Sequence, residues 1–318
     1  ALSNDVVFPN LSLLIVDEEH RFGVRHKEKI RKIRENIDVL TLTATPIPRT
    51  LQQSLIGIRS VSLIQTPPKT RKAIKTVVRY FDWKTTFIYI KKELEREGQV
   101  FFLHNNIKSI SIYQQKIQKQ FIDFTVETLH GKLPPKELEE KLLAFFNKKI
   151  DILICTTIIE SGLDIPNANC IIVNNAQNFG LSQLYQIRGR VGRGEKQAYC
   201  LLFVPKTKLK NEAKKRLKTL EKFTTLGSGY DISLKDLEIR GAGSVFGYKQ
   251  SGHVSKIGFE LYCELLKSEL SKITNKKTKT LKRPLVTYYK NSFFNKEYIK
   301  ENEQRLYFYN KISNTNSL

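Results

Sequence analysis

Short apolar runs recur along the chain, each bounded by charged or turn-forming residues. Residues 11–16, 39–42, 75–80, 99–103, 125–129, 151–155, 170–173 and 198–204 have this form, which is the pattern of strands buried on both faces. Between the third and fourth runs Trp83, Phe87, Ile90 and Leu94 recur at helical spacing, and Gly98 supplies the stop. Pro135 opens a second helix with Leu138, Leu142 and Phe145 on one face. A Lys-rich third helix over 208–225 offers Leu217 and Leu220 as its apolar contacts. Strand alternating with helix predicts a parallel sheet covered on both sides. Phe101 and Phe102 then belong to the core.

The same pattern divides the chain. Residues 1–68 hold two strands, and Thr66-Pro67-Pro68-Lys69 reads as a linker. A second α/β unit spans 69–225. Residues 226–272 begin with many glycines and end in a helix after Ile257. Residues 273–318 are a charged linker and an aromatic-rich tail too short to be a domain by itself.

Composition changes the picture modestly. At 318 residues two domains fit, and Lys+Arg 54 against Asp+Glu 31 gives +23, which favours a polyanionic partner. Lys, Ile and Asn are abundant throughout, so the charge adds consistency more than direction. No apolar run is long enough to span a bilayer and no secretory signal opens the chain. Cys155, Cys170, Cys200 and Cys263 lie in apolar stretches without metal-site spacing, as reduced core residues of a cytoplasmic protein do. Met is absent even at position 1, so the natural start is expected upstream.

Chemistry enters at the ends of the apolar runs. Asp17-Glu18-Glu19-His20 follows the first run, where open α/β sheets bind ligands; alone, two adjacent acids would read as a solvated turn. Thr43-Ala44-Thr45-Pro46 follows the second. Ile154-Cys155-Thr156-Thr157-Ile158-Ile159-Glu160-Ser161-Gly162-Leu163-Asp164-Ile165-Pro166 and then Gln186-Ile187-Arg188-Gly189-Arg190-Val191-Gly192-Arg193 come later. In this order and strand context they resemble motifs II, III, V and VI of superfamily 2 helicases. No Gly-x-x-x-x-Gly-Lys-Ser/Thr phosphate loop occurs. The economical expectation is truncation upstream of Ala1, leaving a chain inactive as an ATPase when alone.

The residues flanking these motifs narrow the likeness. Asp17 to Val24 followed by Thr43-Ala44-Thr45-Pro46-Ile47-Pro48-Arg49-Thr50 resembles two groups, the bacterial transcription-repair coupling factors and the fork-remodelling RecG helicases. Both carry a glycine-rich translocation motif behind motif VI, which 237–253 resembles. Glu19, Arg25-His26-Lys27-Glu28, Ile257 to Leu266 and the tail with Arg305-Leu306-Tyr307-Phe308-Tyr309 are similar to the coupling factors. The resemblance implies a fragment cut at both ends: tandem RecA-like parallel-sheet domains, the first partial, then a translocation motif and a truncated C-terminal regulatory domain.

It also implies roles. Asp17 would hold Mg²⁺, mostly through water, and Glu18 would act as base or orient the attacking water. Glu19, His20, Thr43, Thr45, Gly162, Asp164 and Gln186 would line or couple the nucleotide cleft. Arg190 and Arg193, on one face if that segment is helical, would reach the γ-phosphate as arginine fingers. Thr156, with the regions of His104-Asn105 and His130-Gly131, would face the DNA backbone, and Arg240 and Gln250 match the translocation motif's polar positions. The expectation is an ATP- and Mg²⁺-dependent double-stranded DNA translocase that displaces stalled RNA polymerase. It would recruit the excision-repair damage sensor through regions outside this chain. The alternatives are a fork-remodelling helicase and a non-hydrolysing DNA-binding remnant.

Overall fold

The computed structural model describes residues 10–18, 22–33, 37–45, 61–64, 66, 71–157, 165–223, 227–240, 293–295, 297–299 and 301–313. Two compact units divide the chain, Ala1–Lys267 and Ser268–Leu318.

The first unit contains two sheets. β1 (Leu13–Asp17) and β2 (Asp38–Leu42) pair in parallel around α1 (Val24–Ile33), with Asp17 opposite Leu42. The larger sheet has six parallel strands: β3 (Lys75–Tyr80), β4 (Gln99–Leu103), β5 (Val126–Leu129), β6 (Ile152–Cys155), β7 (Ala168–Val173) and β8 (Tyr199–Val204). Their order is β3-β8-β7-β4-β6-β5, and every described pairing is parallel. The expected parallel α/β architecture is therefore what forms, with each expected strand present within two residues of its apolar run.

Alternation along the strands separates two apolar layers. Phe101, Leu103, Leu153, Cys155, Ile171, Val173 and Leu202 face one side. They meet α4 (Pro135–Phe146), α5 (Leu181–Arg188), α6 (Asn211–Lys222) and α7 (Gly229–Arg240), through Phe145, Leu184, Ile187, Leu217, Leu220 and Ile232. Val100, Phe102, Ile152, Ile154, Cys170, Ile172 and Phe203 face the other side, against α2 (Trp83–Leu94) and α3 (Ile107–Gln120). Phe101 and Phe102 are core residues, as expected. Cys155, Cys170 and Cys200 are free, buried thiols; burial raises all three pKa values, that of Cys200 to about 12. Cys263 lies outside the described residues.

Helix starts follow their capping chemistry. The Asp82 carboxylate accepts from the Thr85 N–H at 2.6 Å and opens α2, and that backbone bond lowers its pKa. Asn106 does the same for α3 by accepting from the Lys108 N–H at 3.1 Å. Side chains meet backbone polar groups on both edge strands. Glu221 accepts from the Val78 N–H on β3, while Gln114 and Lys141 donate to the Val126 and Thr128 carbonyls on β5.

The second unit holds α8 (Asn302–Ser313). The Tyr309 hydroxyl accepts from the Phe294 N–H at 2.6 Å, and the two rings lie 5.0 Å apart. The proline linker at 67–69, the helix expected after Ile257 and the charged stretch 276–283 lie outside the described residues. No helix among the described residues is long and apolar enough to cross a membrane.

Candidate functional site

Two groups of residues sit at carboxyl ends of parallel strands, the edge where α/β sheets place ligands. The first is on the small sheet. Asp17 closes β1 with an exposed side chain, and Glu18 leaves the strand with a left-handed φ of 49° while its N–H donates to the Leu42 carbonyl at 2.9 Å. That conformation is uncommon for a residue with a Cβ, and such residues cluster at functional sites. The Glu18 carboxylate accepts from the Thr43 hydroxyl at 2.7 Å and from the Ala44 N–H at 3.2 Å. Thr43 Oγ1 in turn accepts from the N–H of Thr45, which is buried, and Thr45 Oγ1 accepts from Gln186 Nε2 at 3.2 Å. A continuous hydrogen-bonded path thus runs from the acid after β1 to the helix α5.

The approach of the two segments is close. A Cβ added at Gly229, the first residue of α7, would collide with the Ala44 carbonyl, and Tyr185 of α5 lies beside it. Only glycine lets the backbone of 43–45 approach there. Downstream of Gln186 the segment soon stops being helical, so the condition for the two arginines to share a face is not met. α5 ends at Arg188, and Arg190 and Arg193 lie in the following turn, so they do not share a helix face. The break has two causes: Gly189 caps the helix, and Gly192 takes a φ of +70° where an added Cβ would stand 2.7 Å from that of Ala198. The Arg71 Nε donates to the Gly192 carbonyl at 3.1 Å and pins that turn. Arg190 is half-buried and Arg193 exposed.

The second group lies on the large sheet. Asn105, Asn106, Ile107 and Lys108 at the start of α3, Gly131 and Lys132 after β5, and Thr156 and Thr157 after β6 line a cleft of about 520 Å³. His130 stands beside it, half-buried. Backbone N–H groups at a helix start and two lysines suit phosphate oxygens. His104 has a different part from the one its position suggested. Its ring is buried, 4.1 Å from that of Tyr113, with Nδ1 3.0 Å from Asn174 Nδ2 and Nε2 2.7 Å from Ser109 Oγ. An amide nitrogen is a donor only, so Nδ1 accepts and the proton sits on Nε2, directed at Ser109. The side chain therefore supports the first turn of α3 from beneath, leaving Asn105 to face the cleft. Asn174, Ser109 and Tyr113 were not singled out in the sequence, and no local spacing connects them.

Burial lowers the His104 pKa from 6.5. A depressed histidine pKa means the unfolded chain takes up the proton first, so this contribution to stability is complete above about pH 6.5 and declines as pH falls below it. The chain is expected to show a falling urea midpoint between neutral and mildly acidic pH, and His104→Gln is expected to flatten that fall. An unchanged pH slope in the variant would remove His104 as its source.

Glu19, His20, Gly162, Asp164 and Gln250 lie outside the described residues. Arg240 is the last residue of α7.

Residues 84–195 match the helicase conserved C-terminal domain. RecG bound to a three-way DNA junction superposes with a TM-score of 0.61 at 35% identity, over 83% of this chain and 34% of that one. The fold is thus the RecA-like parallel α/β fold of helicases. By sequence, the transcription-repair-coupling factor of Buchnera aphidicola subsp. Baizongia pistaciae is 46% identical over 99% of this chain, which spans 46% of that protein. The namesake of Myxococcus xanthus is 45% identical over 98% of this chain, which spans 26% of it. Over nearly its whole length the chain is similar to transcription-repair-coupling factors, and it spans less than half the length of these relatives.

Proposed function

We propose that this chain is the hydrolysis-coupling and DNA-gripping part of an ATP-driven double-stranded DNA translocase, one that displaces RNA polymerase stalled at lesions and leads repair proteins there. The observation that carries the reading is the path Glu18–Thr43–Thr45–Gln186, which joins an acid at a strand end to the segment bearing Arg190 and Arg193. A motor needs such a connection, because a conformational change does work only through contacts that differ between two states.

Asp17 and Glu18 fit Mg²⁺ bound with a nucleotide. No group of three metal-ligating side chains occurs among the described residues, and Mg²⁺ is ordinarily held by one or two carboxylates plus substrate phosphates. When bound, Mg·ATP supplies the phosphoryl group and the cation that neutralises its charge. Asp17 would hold the cation through water, while Glu18, fixed by Thr43 and Ala44, would orient or deprotonate the attacking water. Arg190 and Arg193 would meet the phosphates, and by resemblance Glu19, His20, Gly162 and Asp164 would belong to the nucleotide site. Thr156, Asn105 and the His130-Gly131 turn hold DNA phosphates, and Arg240 and Gln250 transmit domain closure to the DNA. The polymerase and the damage sensor bind other parts of the whole protein, which works in the cytoplasm. Likeness to RecG supports a fork-remodelling alternative on the same motor, whereas sequence likeness favours transcription-repair coupling.

The test is equilibrium binding of the chain to duplex DNA. Affinity is expected to be indifferent to base sequence and to fall steeply with salt, since phosphate contacts release counterions and carry no base identity. Strong preference for one sequence at fixed salt would overturn the translocase reading.

A further inference from the structure

The turn that carries Arg190 and Arg193 is held by residues far away in sequence. Hydrogen bonds at the end of α5 fix its backbone as far as Val191, whose N–H donates to the Arg188 carbonyl at 3.4 Å. Gly192 follows at a φ of +70°. A glycine adopts either sign of φ about equally readily, so this residue does not choose its own conformation. The choice is made by residues 71–74, which lead into β3. The Arg71 Nε donates to the Gly192 carbonyl at 3.1 Å, and Ile74 Cγ1 lies 3.3 Å from where a Cβ of the same glycine would stand. Beyond the turn, Gln197 Nε2 donates to the Ala73 carbonyl at 2.7 Å, and the Lys75 N–H donates to the Ala198 carbonyl at 3.0 Å.

The Arg71 bond acts on one particular peptide. The Gly192 carbonyl and the Arg193 nitrogen belong to a single planar unit, so fixing that oxygen fixes the point from which the Arg193 side chain departs. Gly192 is buried and Arg193 exposed. The bond is therefore made on the inner side of the turn, and the side chain it orients is on the outer side.

We propose that Arg71 is a positioning residue for ATP hydrolysis: by pinning Gly192 it selects the turn conformation that presents Arg193 to the phosphates. The role rests on the arginine-finger reading above and adds the residue that sets the finger's geometry. A charge-stabilising group displaced by about 1 Å can cost about 10²-fold in rate, so a single hydrogen bond at the base of the finger has a large effect on turnover.

The experiment uses two substitutions of similar reach. In Arg71→Gln the amide nitrogen is bonded to Cδ, as Nε is in arginine, so a donor stays while the charge goes; Arg71→Met fills the same length with no donor. Hydrogen exchange of the chain, without nucleotide, is followed by mass spectrometry. Arg71→Met is expected to speed exchange of the backbone over 189–197 by about tenfold or more while β4 exchanges as in the parent, and Arg71→Gln to stay within about threefold of the parent. In a longer protein that contains this chain and hydrolyses ATP, Arg71→Met is expected to lower kcat by about 10–10²-fold, with KM for ATP changed by less than about twofold. Arg71→Gln is expected to recover most of that loss. Arg193→Ala is measured beside them. Unchanged exchange in the turn, or equal acceleration in β4, would overturn the proposal, since Arg71 would then hold nothing there or merely support the fold. Equal loss of turnover in the Gln and Met variants would assign the effect to charge and overturn it as well. If Arg193→Ala lowers turnover and Arg71→Met does not, the positioning role fails and the finger reading stands. Parent turnover in Arg193→Ala removes both.

Discussion

Glu18→Gln is expected to lower ATP turnover by about 10²–10⁴-fold while sparing ATP binding, in a longer protein that contains this chain and hydrolyses ATP. Gln keeps the size of Glu18 and removes its charge and basicity. It also keeps the local fold. One amide oxygen still accepts from the Ala44 N–H, now 3.2 Å from the carboxylate, and the Thr43 hydroxyl can rotate to accept from the new NH₂. The loss therefore reports on the reacting water and not on collapse of the 43–45 segment. Steady-state ATPase and nucleotide binding on one preparation separate the two. Turnover near the parent rate would take Glu18 out of the chemistry.

Legibility in the sequence followed the range of the interaction. The strands were readable because a parallel strand covered on both faces must be apolar at nearly every position, and Gln99–Leu103 and Ile152–Cys155 are buried throughout. α2, α4 and α6 were readable from apolar spacing. α3 was not singled out: of its residues only Ile110 and Ile117 are buried, and Ser and Gln fill much of the rest. The acids after β1 and the segments after β4, β5 and β6 were legible because strand ends mark them in one dimension. What escaped was contact between distant residues. His104 was placed at the right strand end, but its ring turns inward because Asn174, 70 positions away, offers it a donor. Arg190 and Arg193 would share a face only in a helix, and the chain leaves the helix after Arg188 and packs Gly192, at positive φ, against Ala198.

Arg188 is the sharpest case, since within its motif it reads as one arginine among three. In the structure it is 4% exposed, and its Nη1 donates to the Leu220 carbonyl at 3.0 Å and the Phe223 carbonyl at 2.6 Å. Those carbonyls belong to the C-terminal end of α6, where a helix leaves acceptors without intrahelical partners and favours positive charge. The guanidinium also lies 5.0 Å from the centre of the Tyr185 ring. Burial lowers its pKa, yet a guanidinium stays charged in proteins, so the charge-assisted bonds persist. Arg188→Ala removes the donor from both carbonyls and leaves a void between α5 and α6. The expected cost is about 3–5 kcal/mol, summing roughly 1–3 for each shielded acceptor with lost packing. Arg188→Lys should recover only part of this, because an ammonium lacks the planar fork and its reach. Arg190→Ala and Arg193→Ala, by contrast, are expected to leave stability within about 0.5 kcal/mol if their work is at the phosphates. Urea unfolding of the four variants measures the ordering directly. Should Arg188→Ala unfold at the parent's midpoint, the clamp on α6 is not what holds α5 in place, and the buried arginine needs another explanation.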